Sequence, residues 1–395
     1  MERAGWGRAH LVTASIAIGL AAAIMFAGRA VAIHRERSSV SSLAPELLQL
    51  KNQGLVIQRV AAEARDVLPI YGSSELTFGS AAERGSNFFR TEPTGFQVSP
   101  VGKAGATPLV IVQKLGALGS TLRGKKLAIS LSPEWFLLPE IGRFWYEGNF
   151  SPAAANEMIF GNALNFELKR EIASRMLEFP RTLTKWPLLE FALERLASGR
   201  AIDRLIFCAI WPIGKMQGAV MDLQDHFAAL SYIRHEIKPA PPRRPKVLDW
   251  PQLIAKASEH NPGYKDETEE APPPSKRIPP GRRDTWFVEH VDAAREWTDL
   301  ELLLHTLAEI HAQPLLLSIP IDGEYYDAQG ISRSARAHYY EKMRTLVRRY
   351  NFPLVEFEDH DDDPDFVQAP HSHLTRRGWM FYNHVLDDFF HGRMR

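Results

Sequence analysis

Two stretches of this chain carry side chains able to do chemistry together. The first is Gly72-Ser73-Ser74-Glu75, which closes the apolar run Val67-Leu68-Pro69-Ile70-Tyr71. The second lies near the far end, His371-Ser372-His373-Leu374-Thr375. A serine hydroxyl becomes a good nucleophile only when a neighbouring base takes its proton, and histidine is the side chain that titrates near neutral pH. An apolar strand that stops at Gly-Ser-Ser leaves a hydroxyl at the carboxyl edge of a parallel sheet, where open α/β folds hold their ligands. Alone, Gly-Ser-Ser reads as an ordinary turn. Paired with His373 after a later strand and polar loop, it points to acyl transfer or ester hydrolysis.

The other polar clusters carry less. Histidines at i and i+2 with no cysteine nearby do not make a metal site, and the acidic turn 358–365 lacks the glycine and terminal glutamate of a calcium loop. No metal and no cofactor is implied. Gly102 and Gly105 precede an apolar helical run over 108–118, so backbone N–H groups there are available to an anion or a developing oxyanion. The single cysteine, Cys208, cannot form an intrachain disulfide. Its neighbours Leu205, Ile206, Phe207, Ala209, Ile210 and Trp211 predict a buried structural thiol.

These groups need a scaffold to bring them together. With 395 residues, 45% hydrophobic and 24% charged, the chain can bury a large core. Lys+Arg and Asp+Glu both number 47, which removes a global electrostatic case for a nucleic-acid partner. Apolar strands at 67–71, 125–131, 314–320 and 353–357 alternate with helical segments, which predicts an α/β fold whose parallel strands end on one side. One helix is expected over 42–67. A helical insertion is expected over 151–236, opened by Ser151-Pro152 as cap and first turn. Residues 237–283 read as a proline-rich exposed excursion with one short helix around Leu253 to Ala257, and order is expected to return at Glu296. The last helix should begin near Thr375, with His373 at its opening.

Leu11 to Gly28 contains no charge, and Arg3, Arg8 and Arg29 flank it. That is close to spanning length, so residues 1–36 are expected to be a short cytoplasmic tail with a transmembrane anchor, and 37–395 an extracytoplasmic domain at the cell membrane. Ala30-Val31-Ala32 keeps a cleaved signal peptide as the competing reading.

Several motifs occur together in a fixed order: the anchor, Leu68-Pro69-Ile70-Tyr71-Gly72-Ser73-Ser74-Glu75-Leu76, Lys125-Lys126 with Ser132-Pro133-Glu134-Trp135-Phe136, and Asn149-Phe150-Ser151-Pro152. Trp297-Thr298-Asp299-Leu300, Pro320-Ile321-Asp322-Gly323-Glu324-Tyr325-Tyr326-Asp327, His373-Leu374 and Gly378-Trp379 follow. In this combination the chain resembles the D-alanyl-lipoteichoic acid biosynthesis family DltD, itself similar to SGNH-type hydrolases. The resemblance implies a three-layer SGNH-like domain that takes part in D-alanylation of a cell-envelope polymer, beside a membrane-bound O-acyltransferase, with a D-alanyl donor and a polymer acceptor. It puts the nucleophile on Ser74 and the base on His373, with Ser73 supporting the turn. Oxyanion donors would lie at the Ser74 N–H and near Gly102, and Ser132, Glu134 and Trp135 would line the same edge.

The chain departs from the family pattern at one point. Where Asp-x-x-His is expected, Pro370 stands three residues before His373 and Gln368 three before His371. The third triad member is therefore Asp365, or another residue of the acidic turn, or a backbone carbonyl takes its place. Two other readings share these residues: an esterase or acetyltransferase of an exported polysaccharide, and a scaffold that only docks the membrane enzyme. If Leu11 to Gly28 is an uncleaved anchor, mass measurement of the mature protein will find the N-terminal region still attached, whereas a chain starting at Ile33 would remove the anchor.

Overall fold

A computed structural model of the chain describes residues 3–78, 80–137, 142–237, 244–259, 276–368 and 373–394. Its centre is a parallel five-stranded sheet built from β1 (Val67–Tyr71), β2 (Gln97–Val101), β3 (Lys126–Leu131), β4 (Gln313–Ser318) and β5 (Leu354–Glu356). The strand order is β2-β1-β3-β4-β5. Tyr71 stands opposite Val101 on one side and Ile129 on the other, and Leu131 opposite Ser318, so the strands end nearly level. Successive side chains point to opposite faces. In β3, Leu127, Ile129 and Leu131 enter the larger core, while Ala128 enters the smaller one with Leu68 and Ile70 of β1 and Leu315 and Leu317 of β4. Helices cover both faces. Pro108–Leu118, Glu296–Glu309 and Arg333–Arg348 lie on the first, with Gly85–Thr91, Trp250–Glu259 and Arg376–His391 on the second.

The chain winds outward from β1 to β2 and then returns past β1 to β3. That reversal opens a crevice beyond the carboxyl ends of β1 and β3, the usual ligand position in such sheets. Ser74 follows β1 and Ser132 follows β3, so the topology alone brings both to this crevice.

The sequence predicted four of the five strands and missed β2. This strand carries Pro100 and sits at the sheet edge, where a missing N–H is tolerated. The single helix expected over 42–67 is broken into Val40–Leu43, Gln49–Gln53 and Val56–Glu63. The break is made by Asp225, whose Oδ2 accepts the N–H groups of Leu55 and Val56 at 2.6 and 2.7 Å. The same carboxylate would lie 2.0 Å from a Cβ at Gly54.

Two more expectations change. Cys208 is exposed rather than buried, because the helix Ala201–His235 packs inward through Phe207 and Gly214 and leaves the cysteine on its outer side. The excursion over 237–283 is not wholly exposed: buried Trp250 and Ala257 join the smaller core, and the Trp250 indole donates to Asp387 Oδ2 at 3.1 Å. Order also returns earlier than Glu296, in the helix Asp284–Ala293.

Many of the motif residues turn out to fasten elements. Lys126 Nζ donates to the carbonyls of Phe389 and Phe390 at 2.8 and 3.0 Å, holding the end of the last helix to the sheet. Asn149 Nδ2 donates to the carbonyls of Ala104 and Trp145, and the Ser151 hydroxyl caps the helix Pro152–Phe160. Asp299 makes a buried two-pronged pair with Arg175 at 2.8 and 3.1 Å. Asp322 caps the helix Gly323–Ala328, and buried Arg336 gathers Asp327, Asp361 and Asp362 around it.

At the sheet edge the tightest constraint is between two loops. A Cβ on Gly102 would stand 2.2 Å from the Gly72 carbonyl oxygen, a backbone atom that cannot step aside. Gly102→Ala is expected to cost about 1–3 kcal/mol of stability through overpacking, measured by denaturant unfolding. A variant as stable as the parent would mean that the two loops are free to part.

Candidate active site

β1 ends at Tyr71, and the next residues turn sharply. The Gly72 N–H donates to the Val101 carbonyl at 3.2 Å, and Ser74–Leu76 forms a short 3-10 turn. Ser73 is buried and Ser74 is half-buried, so of the pair only Ser74 presents its hydroxyl outward. Its Oγ lies 3.0 Å from Nε2 of His373. With Nε2 unprotonated, the hydroxyl donates to the imidazole, which is the pairing a serine nucleophile needs.

His373 reaches this place through a small hairpin. β6 (Val367–Gln368) and β7 (His373–Leu374) pair antiparallel, with Gln368 opposite His373. Thr375 closes the hairpin, its N–H donating to the Phe366 carbonyl at 3.1 Å and its hydroxyl to the Asp365 carbonyl. The same hydroxyl oxygen accepts the Gly378 N–H and caps the helix Arg376–His391. His373 thus sits on a strand three residues ahead of the helix, not at the helix opening that the sequence predicted. The Phe78 ring stacks on the imidazole with centroids 5.5 Å apart and limits its rotation.

Gly102 touches Gly72, two residues before Ser74. Its carbonyl is held by Asn52 Nδ2 at 3.4 Å, and Asn52 Oδ1 in turn accepts from Lys114 Nζ at 3.1 Å. Burial pushes the Lys114 ammonium down to about 7, helped by the nearby charge of Lys103. After β3, Ser132 is buried and its carbonyl accepts the Trp135 N–H at 3.2 Å. Trp135 itself packs into the larger core, while Glu134 is half-buried near the edge. Asp365 is tied to the His373 hairpin through its carbonyl, and its N–H donates to Asp363 at 3.0 Å. His371 lies outside the described residues.

Two residues at the site have no role that the sequence alone predicts. Phe78 is one. The other is Glu75, whose carboxyl is buried directly under the turn, 2.1 Å from where a Gly72 Cβ would be. It accepts the Ser73 N–H at 2.8 Å. Burial lifts its pKa to about 7, with the Glu134 charge adding to the rise and the Ser73 and Glu75 amides and the Ser130 hydroxyl opposing it. Ser130 is held from below by the Tyr382 hydroxyl at 2.8 Å. An acid immediately after the serine pair was the available signal, and surface-exposed acids are too common for it to stand out.

A family model described as DltD protein matches residues 44–270 and 276–391, most of the chain. This chain belongs to the DltD family. Protein DltD of Bacillus subtilis (strain 168) is 25% identical over 365 residues, covering 90% of this chain and 89% of that protein. Protein DltD of Staphylococcus aureus (strain NCTC 8325 / PS 47) is 27% identical over 347 residues, covering 83% and 82%. Protein DltD of Lacticaseibacillus rhamnosus is 24% identical over 373 residues, covering 89% and 83%. The match in the DltD family spans the serine turn, the hairpin and the helices between.

Glu75 gives the site a pH signature. Its folded pKa of about 7 lies above the ordinary value of 4.5, so the folded state holds the proton more tightly than the unfolded chain. The ionised carboxyl therefore opposes folding: the penalty is absent below pH 4.5, grows as pH rises, and is complete above about 7. Glu75→Gln keeps an acceptor for the Ser73 N–H and cannot ionise. Thermal unfolding of both proteins should give similar midpoints near pH 4.5 and a rising advantage for the variant up to pH 7. Parallel curves would show that folding does not raise the Glu75 pKa.

Proposed function

We propose that this chain is a membrane-anchored serine acyltransferase of SGNH type that works in D-alanylation of a cell-envelope polymer of the teichoic-acid kind. The observation that carries the reading is the 3.0 Å contact between Ser74 Oγ and His373 Nε2 at the carboxyl edge of a parallel sheet. Membership of the DltD family supports the pathway. The N-terminal helix supports the anchor: among the described residues, Val12–Ser38 is long and apolar enough to cross a membrane and is barely buried by the rest of the chain. The catalytic domain then faces the outside, where the polymer is, beside a membrane-bound O-acyltransferase that delivers the D-alanyl group.

In the first step His373 Nε2 takes the proton of Ser74 Oγ as the oxygen bonds to the carbonyl carbon of the D-alanyl ester. The tetrahedral oxyanion lies against backbone N–H groups at Ser74 and Gly102, whose loops are held rigid by the Gly72–Gly102 contact. Collapse breaks the bond to the leaving oxygen, which receives the proton from His373. A hydroxyl of the polymer then attacks the alanyl-serine ester, giving its proton to His373, and Ser74 leaves with that proton. Water in place of the polymer would make the same chemistry a hydrolysis. The imidazolium formed in each half is oriented by Asp365 of the hairpin. Ser132 and Glu134 border the crevice on the β3 side.

The test is D-alanine incorporation into the envelope polymer in cells that lack the native protein. Ser74→Ala is expected to abolish incorporation with protein level and membrane association unchanged, and His373→Ala to do the same, because neither half of the pair works alone. Asp365→Ala should lower incorporation roughly a hundredfold or more, the scale of cost for a mis-oriented base. Full incorporation with Ser74→Ala would replace the enzyme with a scaffold.

A further inference from the structure

The helix Ala201–His235 carries an apolar stripe that neither the core nor the serine site uses. Its inner side is marked by Asp203, Phe207, Gly214, His226 and Ala229, all buried. Phe207 stacks on Phe160 with centroids 5.7 Å apart, and a Cβ on Gly214 would meet the same ring at 2.3 Å. On the outer side Ile202, Leu205, Ile213, Met216, Val220 and Phe227 are 56–70% exposed. Their spacing stays on one face of a 3.6-residue helix, and the part from Ile202 to Val220 runs about 27 Å. No charge interrupts the run Leu205 to Gly214. A single exposed leucine needs no explanation, but a continuous apolar strip of this length does.

Its position relative to the N-terminal helix Arg3–Ser38 says what covers it. Arg29 pairs with Asp222 at 3.3 Å, and buried Glu36 meets His226 Nδ1 at 2.8 Å. Arg59 joins Asp222 from the domain side at 3.0 Å. Arg29 is the first charge after the uncharged run that ends at Gly28, so this polar knot marks the level at which that run ends. Earlier meets earlier and later meets later, so the two helices run in the same sense past the crossing. Residues before Arg29 and residues before Asp222 therefore extend to the same side. The stripe from Ile202 to Val220 begins where the uncharged run ends and continues on that run's side. The helix does not itself qualify as a span, since among the described residues only Val12–Ser38 does. An exposed apolar face beside a helix that enters the bilayer can bury its apolar area in the headgroup and acyl boundary, and that area sets the strength of the attachment.

We propose that the helix Ala201–His235 enters the outer leaflet of the bilayer at a slant beside the anchor, with the stripe from Ile202 to Val220 seated among lipid headgroups and acyl chains. This rests on the reading that the run ending at Gly28 spans the membrane. The seat fixes the orientation of the whole domain relative to the bilayer, since the stripe and the anchor are two separate attachments rather than one flexible tether.

Cys208 is the chain's one cysteine, so a site-directed label needs only Cys208→Ser together with Met216→Cys. The full-length protein, carrying a nitroxide at that position, is reconstituted alone in phosphatidylcholine and phosphatidylglycerol vesicles, with Arg348→Cys as the water-facing control. Flotation with the vesicles reports on the anchor, and collision with oxygen against a water-soluble nickel chelate reports on the stripe. The expected result is flotation together with several-fold lower access of the chelate to the Met216 position than to the control, and easy access of oxygen. Adding Leu205→Glu and Val220→Glu should restore chelate access while flotation persists. Flotation with full chelate access would overturn the lipid seat and leave the anchor standing. Shielding from both reagents, with dipolar broadening that unlabelled protein removes, would give the stripe to a second copy and overturn the proposal as well. Failure to float would remove the anchor, and the seat with it.

Discussion

The space between the ends of β1 and β2 has no room for a Cβ. Gly72 and Gly102 approach so closely that one glycine's missing side chain is filled by the other's carbonyl. Everything at the sheet edge follows from that contact. It lets the serine turn fold back over the strand ends instead of running out into solvent, and it keeps the loop after β2 beside the hydroxyl. The same turn is closed from below by the Glu75 carboxyl, so Ser74 is fixed on two sides by groups that do not take part in its chemistry. His373 completes the arrangement from the far end of the chain, and the Thr375 hydroxyl joins its hairpin to the last helix.

The charged residues divide by what they hold. Arg175 with Asp299, and Arg336 with Asp361, are buried pairs deep in the larger layer, where loss of one partner strands a charge at a cost of about 3–5 kcal/mol. They order the helices behind the sheet. Arg29, Asp222, Arg59, His226 and Glu36 form a different group at the junction with the N-terminal helix. Burial alone would lower the His226 imidazole, yet Asp222 and Glu36 outweigh it and lift the pKa to about 9. The junction therefore carries a charged histidine at neutral pH and joins the N-terminal helix to the domain electrostatically as well as by packing.

How much of this was legible follows from the kind of signal each element leaves. β1, β3, β4 and β5 are apolar runs, and the serine and histidine stood out by type, so the fold class and the parallel edge could be read. β2 could not, because an edge strand with Pro100 does not look like a core strand. The break at Gly54 was invisible for another reason: Asp225 makes it from far along the sequence, and no local pattern encodes a distant cap. Cys208 shows the limit of composition most clearly. Apolar neighbours predict burial, but on a helix packed along one side they mean only that the outer face is apolar too.

Glu75 raises the question of why a carboxyl should lie under the Ser74 turn where an apolar residue would fill the space. An apolar side chain would leave the Ser73 N–H without an acceptor in a buried turn, at a cost of about 1–3 kcal/mol. A carboxyl satisfies that amide and, while protonated, adds no charge beside the serine. On the proposed acyl transfer, an ionised Glu75 would place a negative charge against the oxyanion and oppose the transition state more than the resting protein. The burial that raises its pKa to about 7 is therefore what would make the residue compatible with the acyl transfer proposed for Ser74.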